Sequence, residues 1–237
     1  RNQEALEGFK EVEKYPESDY TAASRYAIGY INYDMKNFEE ALKWFEMSRK
    51  DSRFAEMSSY YILECRFMLS DYEYVIAEGV KMYPNIPDER KAQLARIISE
   101  SWLVLGDAEK AREYMELNAS GGGQPKGRAD WFYRGSVLYA VKDYKGAIES
   151  FNMMGERKDS IGQIASYQLA YCYIQTRNKV AALDAFSSAS ALSYDEKIKE
   201  DSFFNYAKLA FDLNNDASVF KDYLRRYPNT SKGEMIY

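Results

Sequence analysis

The chain has 237 residues with 37 acidic and 32 basic side chains, a net charge of −5, and no histidine, which excludes Ser-His-Asp and Cys-His nucleophile pairs, His-dependent deaminase sites and His-ligated zinc. With 46% hydrophobic and 29% charged residues it reads as globular, not disordered, and its acidic balance argues against a nucleic-acid partner. The one excess is aromatic: 22 Tyr and 12 Phe.

In chain order, Arg1-Asn2-Gln3-Glu4 carries no targeting signal, so any export signal is expected to lie outside the chain. Ala5, Phe9 and Val12, closed by Tyr15-Pro16-Glu17-Ser18, read as the second helix of a truncated pair, residues 1–18. The clearest complete repeat, 22–55, runs Tyr26-Ala27-Ile28-Gly29-Tyr30, Tyr33, a polar elbow Lys36-Asn37, then Phe38-Glu39-Glu40-Ala41-Leu42, Phe45 and Ser48. Repeat 56–91 turns at Ser70-Asp71 and closes on Tyr83-Pro84-Asn85, and repeat 92–127 turns at Gly106-Asp107. It ends in a Gly-rich connector, 120–128, which lacks the GxxxxGK[ST] pattern of a phosphate cradle. Repeat 128–162 follows the first closely, with Trp131, Gly135, Tyr139, Asp143-Tyr144-Lys145-Gly146-Ala147-Ile148 and Phe151. Repeat 163–199 carries Tyr167, Leu169-Ala170, Tyr173, Ala182, Phe186 and Ala189. Repeat 200–230 turns at Asn214-Asn215 and closes on Tyr227-Pro228-Asn229-Thr230, and residues 231–237 read as the start of another pair. Nothing approaches 18 consecutive apolar residues, so no membrane span is expected.

A small residue opens the second half of each repeat at Ala5, Ala41, Val75, Ala111, Ala147, Ala182 and Val219, at spacings of 36, 34, 36, 36, 35 and 37. Apolar residues recur at helical spacing, so each repeat is helix, tight turn, helix. A small residue belongs where two helix backbones approach and a bulky one fills the adjacent hole, as Gly29 and Phe45 do. This plan of about 34 residues resembles the tetratricopeptide repeat family over essentially the whole chain. The eighth position holds Gly29, Leu63, Ser99, Gly135, Ala170 and Ala207, and the twenty-fourth Phe45, Gly79, Met115, Phe151, Phe186 and Tyr223. Leu63 and Gly79 depart from the pattern, which is either a swap of bulk between the two helices or a distorted repeat. The resemblance implies an all-α, right-handed superhelical solenoid of antiparallel helix pairs. The Tyr-Pro turns also resemble bacterial envelope repeat lipoproteins of the TolA-binding and outer-membrane-assembly kind, which implies a periplasmic or outer-membrane location, with cytoplasm the alternative. Both ends read as cut within a repeat, as if from a longer array.

In that family the first helix of each pair lines a concave groove, and its second, fifth, ninth, twelfth and thirteenth positions point inward. The resemblance therefore marks Tyr26, Tyr60, Arg96, Phe132, Tyr167 and Phe204 at the fifth position, Tyr30 and Tyr171 at the ninth, and Tyr33, Phe67, Tyr139 and Phe211 at the twelfth. Tyr and Phe offer rigid contact area, and Tyr adds a hydroxyl, so a protein or peptide ligand is expected. The same rings also suit packing against the next repeat. The family's carboxylate clamp needs Lys, Asn and Arg where the first repeat has Ala23, Tyr26, Ala27 and Tyr30, so a hydrophobic or mixed extended segment is the expected ligand. Cys65 and Cys172 occupy a slot that the family fills with Ala and read as small buried hydrophobes, not a disulfide. Charge-rich stretches such as 195–201 read as solvated helix starts. No carboxylate pair is singled out by apolar surroundings, so no catalytic site, metal or cofactor is expected. Two readings stay open: a non-enzymatic interaction scaffold, and a structural spacer that contacts its partners through its ends.

Overall fold

The computed structural model describes residues 2–232, and these form an all-α protein with no strand. The helices are α1 Asn2–Val12, α2 Thr21–Asp34, α3 Phe38–Ser48, α4 Ala55–Met68, α5 Tyr72–Met82, α6 Asp88–Val104, α7 Ala108–Ser120, α8 Arg128–Ala140, α9 Tyr144–Met153, α10 Ser160–Gln175, α11 Lys179–Ser190, α12 Glu196–Asn214 and α13 Ser218–Arg226, with a 3-10 turn Tyr83–Asn85 after α5. The chain divides into two compact units between Gln124 and Pro125, inside the Gly-rich connector. Within the N-terminal unit each helix from α1 to α7 packs on the next in sequence; within the C-terminal unit α8 to α13 do the same. First helices of successive repeats also touch, α4 with α6, α8 with α10, and α10 with α12. The expected further repeat at 231–237 lies, beyond Lys232, outside the described residues.

One device ends the first helix of five repeats and starts the second. Lys36, Ser70, Gly106, Lys142 and Arg177 all turn left-handed, with φ of 62°, 63°, 89°, 63° and 61°. The next residue, Asn37, Asp71, Asp107, Asp143 or Asn178, donates its N–H back to the carbonyl five residues earlier, at 2.8 to 3.0 Å. This is the Schellman closure, which satisfies carbonyls at a helix end. In four of the five the same residue caps the following helix, its side chain accepting from the N–H of Tyr74, Lys110, Gly146 or Ala181. A single Asx therefore closes one helix and opens the next. Only Gly106 is free of the Cβ clash in this conformation, which costs other residues roughly 1–2 kcal/mol. Replacing Lys142 with Gly is expected to stabilise the C-terminal unit by about 0.5–1 kcal/mol, and Gly106→Ala to destabilise the other by about 1 kcal/mol. Urea unfolding checks both, and a Lys142→Gly chain that unfolds earlier than wild type contradicts the turn geometry.

The interior follows the small and large pattern. Ala41, Val75, Ala111, Ala147 and Ala182 are wholly buried. Ala5, on α1, is exposed, and Val219, on α13, is half-buried. A Cβ added to Gly29 would lie 2.9 Å from Phe45, and one added to Gly135 2.5 Å from Phe151, so these rings rest on bare backbone. The second repeat is built differently. At Gly79 the nearest atoms belong to α6, where an added Cβ would meet Ile98 at 3.0 Å. Bulk from the next repeat thus comes close to Gly79. α4 and α5 meet less extensively than α2 and α3. A cavity of about 400 Å³ opens beside them, lined in part by Leu63, Tyr74, Glu78 and Met82. Cys65 and Cys172 are free and buried, one in each unit, and burial pushes both thiols up to about 12.

Candidate functional site

Helical spacing puts Tyr26, Tyr30 and Tyr33 on one face of α2. Tyr61 of α4 inserts among them, its ring centroid 6.2 Å from Tyr26, 5.5 Å from Tyr30 and 5.2 Å from Tyr33. It also stacks on Phe45 at 5.2 Å. Most of these contacts are tilted or edge-on, the arrangement that the ring quadrupole favours. Beneath them the buried Glu64 accepts hydrogen bonds from the hydroxyls of Tyr33 (2.6 Å) and Tyr60 (2.7 Å). Burial, together with that carboxylate, pushes both phenols well above the usual value. Burial first, then the neighbouring Tyr61, raises Tyr26 to about 12. The Arg90 guanidinium, from the first turn of α6, lies 4.7 Å over the Tyr60 ring and 5.6 Å over Tyr61. Tyr30 stays 45% exposed on this face. Phe67 is half-buried against Tyr72, and Arg96 pairs with Glu100 at 2.6 Å.

In the C-terminal unit Tyr167 and Tyr171 of α10 meet edge-on at 5.0 Å, and both hydroxyls donate to Oδ2 of Asp201 on α12, at 2.9 and 3.0 Å. The Asn205 amide donates to the same oxygen (3.0 Å), and Lys232 Nζ to the other, Oδ1 (2.6 Å). Burial acts to raise the Asp201 pKa, but the hydrogen bonds from Lys232, Tyr167 and Tyr171 outweigh it and hold the carboxyl below its usual range. Burial raises both phenols. Phe204, on the same helix, is buried against Tyr223 and Phe220. Phe211 is 43% exposed near Phe220, and Phe132 and Tyr139 are half-buried on α8.

Two hydroxyl and carboxylate clusters thus gather seven of the twelve sequence-marked residues: Tyr26, Tyr30, Tyr33 and Tyr60 in one unit, and Tyr167, Tyr171 and Phe204 in the other. Phe67, Arg96, Phe132, Tyr139 and Phe211 lie outside these networks. Sequence reasoning placed Glu64 at the inward ninth position without giving it a role, and missed Tyr61, Arg90, Asp201 and Lys232. The Tyr60-Tyr61 doublet was the available signal for Tyr61, and the inward second position of the repeat was the signal for Asp201. Stretch 195–201 is only partly a solvated helix start: Asp195 caps α12 from an exposed position, accepting from Lys197 and Ile198 N–H, but Asp201 turns inward. At neutral pH the raised phenols are protonated, so both clusters present ring faces and O–H groups. Among the described residues no group of three or more Cys, Asp or Glu is placed to hold a metal ion, and no helix is long and apolar enough to cross a membrane. The chain matches no protein-family model and no curated protein.

Proposed function

We propose that the chain is a tetratricopeptide-like, right-handed superhelical solenoid of antiparallel helix pairs that acts as a non-enzymatic interaction scaffold, binding an extended peptide or protein segment over the tyrosine faces of its first helices. The observation that carries this reading is the meeting of successive first helices at Tyr30 and Tyr171: rings of α2 and α4 converge around Tyr30, which is held by Tyr33 and Tyr61 yet remains 45% exposed, and the Tyr167–Tyr171 ring pair of α10 is hydrogen-bonded to Asp201 of α12. A ring already immobilised by its neighbours loses little freedom on binding, which is what makes such residues effective anchors. The contacts between alternate helices support the stacked-pair architecture. The Tyr-Pro turns that follow α1, α5 and α13 support a place among bacterial envelope repeat proteins.

Peptides selected on the chain from a displayed random library test the reading. Tyr30→Ala is expected to weaken peptides that bind the N-terminal unit, and Tyr171→Ala those that bind the C-terminal unit, each at least tenfold, about 1.4 kcal/mol or more; at the more exposed Tyr30 the melting temperature is expected to change little. Peptide affinity unaltered in both variants would favour the spacer reading instead.

A further inference from the structure

The α10 and α12 face already holds a ligand from its own chain. Lys232 lies beyond the end of α13 at Arg226 and returns to α12. Its Nζ sits 2.6 Å from Asp201 Oδ1 and 5.3 Å from the centre of the Phe204 ring. Oδ2 of the same carboxylate is fully engaged by three neutral donors, the Tyr167 and Tyr171 hydroxyls and the Asn205 amide. Those donors satisfy the oxygen's hydrogen bonds and fix the plane of the carboxylate, but they do not neutralise its charge. Oδ1 is left for a cation, with an aromatic face beside it, the pairing that suits an ammonium group. The approach is also prepared: the Thr230 hydroxyl donates to Glu200 (2.9 Å) and lies 2.7 Å from the Tyr223 hydroxyl, which brings the segment to the face.

We propose that Asp201 and Phe204 form a lysine-recognition site, with Tyr167, Tyr171 and Asn205 as positioning residues, occupied in cis by Lys232 and open to a lysine side chain of a partner segment when residues 230–232 are displaced. The inference rests on the scaffold reading and names the chemistry of the occupant in the C-terminal unit. Exchange is feasible because the Asp201 and Lys232 side chains are 28% and 24% exposed, so the pair is reached from solvent. A short tether presents Lys232 at an effective concentration on the order of mM, so it competes with a partner without locking the site.

Lys232→Ala and Lys232→Gln, each in the full chain, vacate the site. The probes are Nα-acetyl-lysine methylamide and its norleucine counterpart, followed by NMR through the Asn205 amide and the Tyr167 and Tyr171 rings. The lysine probe is expected to bind either variant saturably, roughly tenfold or more tighter than wild type. The norleucine probe is expected to give no saturation, and adding Asp201→Asn is expected to abolish the lysine response. Equal responses to the two probes, or no saturable lysine response in a folded Lys232 variant, overturn the site. A lysine response alongside peptide binding that ignores Tyr30 and Tyr171 supports the site and overturns the scaffold reading. Peptide binding through Tyr171 with no preference for lysine does the reverse.

Discussion

Phe151→Ala is expected to destabilise the C-terminal unit by about 3–5 kcal/mol, the largest single-residue effect we anticipate. The ring is wholly buried and rests on the bare backbone of Gly135, so nothing can move in to fill the hole. The reciprocal change is equally diagnostic. Gly→Ala within a helix ordinarily gains up to about 1 kcal/mol. At Gly135 the new methyl would lie 2.5 Å from Phe151 Cε1, inside packed surroundings, so Gly135→Ala is expected to cost about 1–3 kcal/mol. Gly8, on α1, is the control: an added methyl would have nothing within 4 Å, and Gly8→Ala should show the ordinary gain. Combining Gly135→Ala with Phe151→Ala should cost less than the sum of the two, because the methyl then enters the space that the ring left. Denaturant midpoints read all four chains. If Gly135→Ala stabilises as Gly8→Ala does, the close helix approach is wrong.

The second large effect is alkaline unfolding. A phenol in the unfolded chain ionises near pH 10. In the folded chain Tyr26 and Tyr223 are held up to about 12, first by burial, and Tyr33, Tyr60 and Tyr167 are raised as well. Because these folded values lie above the unfolded one, the stability they contribute is complete below about pH 10 and is lost as pH rises through the folded values. Above that pH the unfolded chain releases protons that the folded one keeps, and the slope steepens with each such phenol. Phenolate absorbance should therefore show an early set of exposed tyrosines and a late set that ionises together with loss of the helical circular dichroism. A single transition near pH 10 with the helical signal intact would contradict the buried clusters.

The elements that were readable from the sequence are the ones whose causes lie within about a turn of helix. The Lys36-Asn37, Ser70-Asp71, Gly106-Asp107 and Lys142-Asp143 elbows stand where the helices break, because a left-handed residue followed by an Asx, which in the last three also caps the next helix, is a local instruction. The alternation of Gly29 with Phe45 and of Gly135 with Phe151 was visible for a related reason: a missing side chain and a large one, at fixed spacing along two adjoining helices, meet when the turn between them is short. The second repeat broke that logic, since the side chains nearest Gly79 are Ile98 and Leu94 of the following helix.

By itself, then, the sequence determined an all-helical chain, the places where its helices turn, and which residues are small enough to let backbones approach. Tertiary structure alone decided which aromatic residues are interior and which remain on a face: among the marked tyrosines Tyr60 is buried and Tyr30 exposed, although both lie on first helices. It also decided which carboxylates the hydroxyls reach, since Tyr33 meets Glu64 across 31 residues and Tyr167 meets Asp201 across 34. Those meetings depend on how one helix crosses the next, which is set by the summed packing of both surfaces and not by any residue's neighbours along the chain.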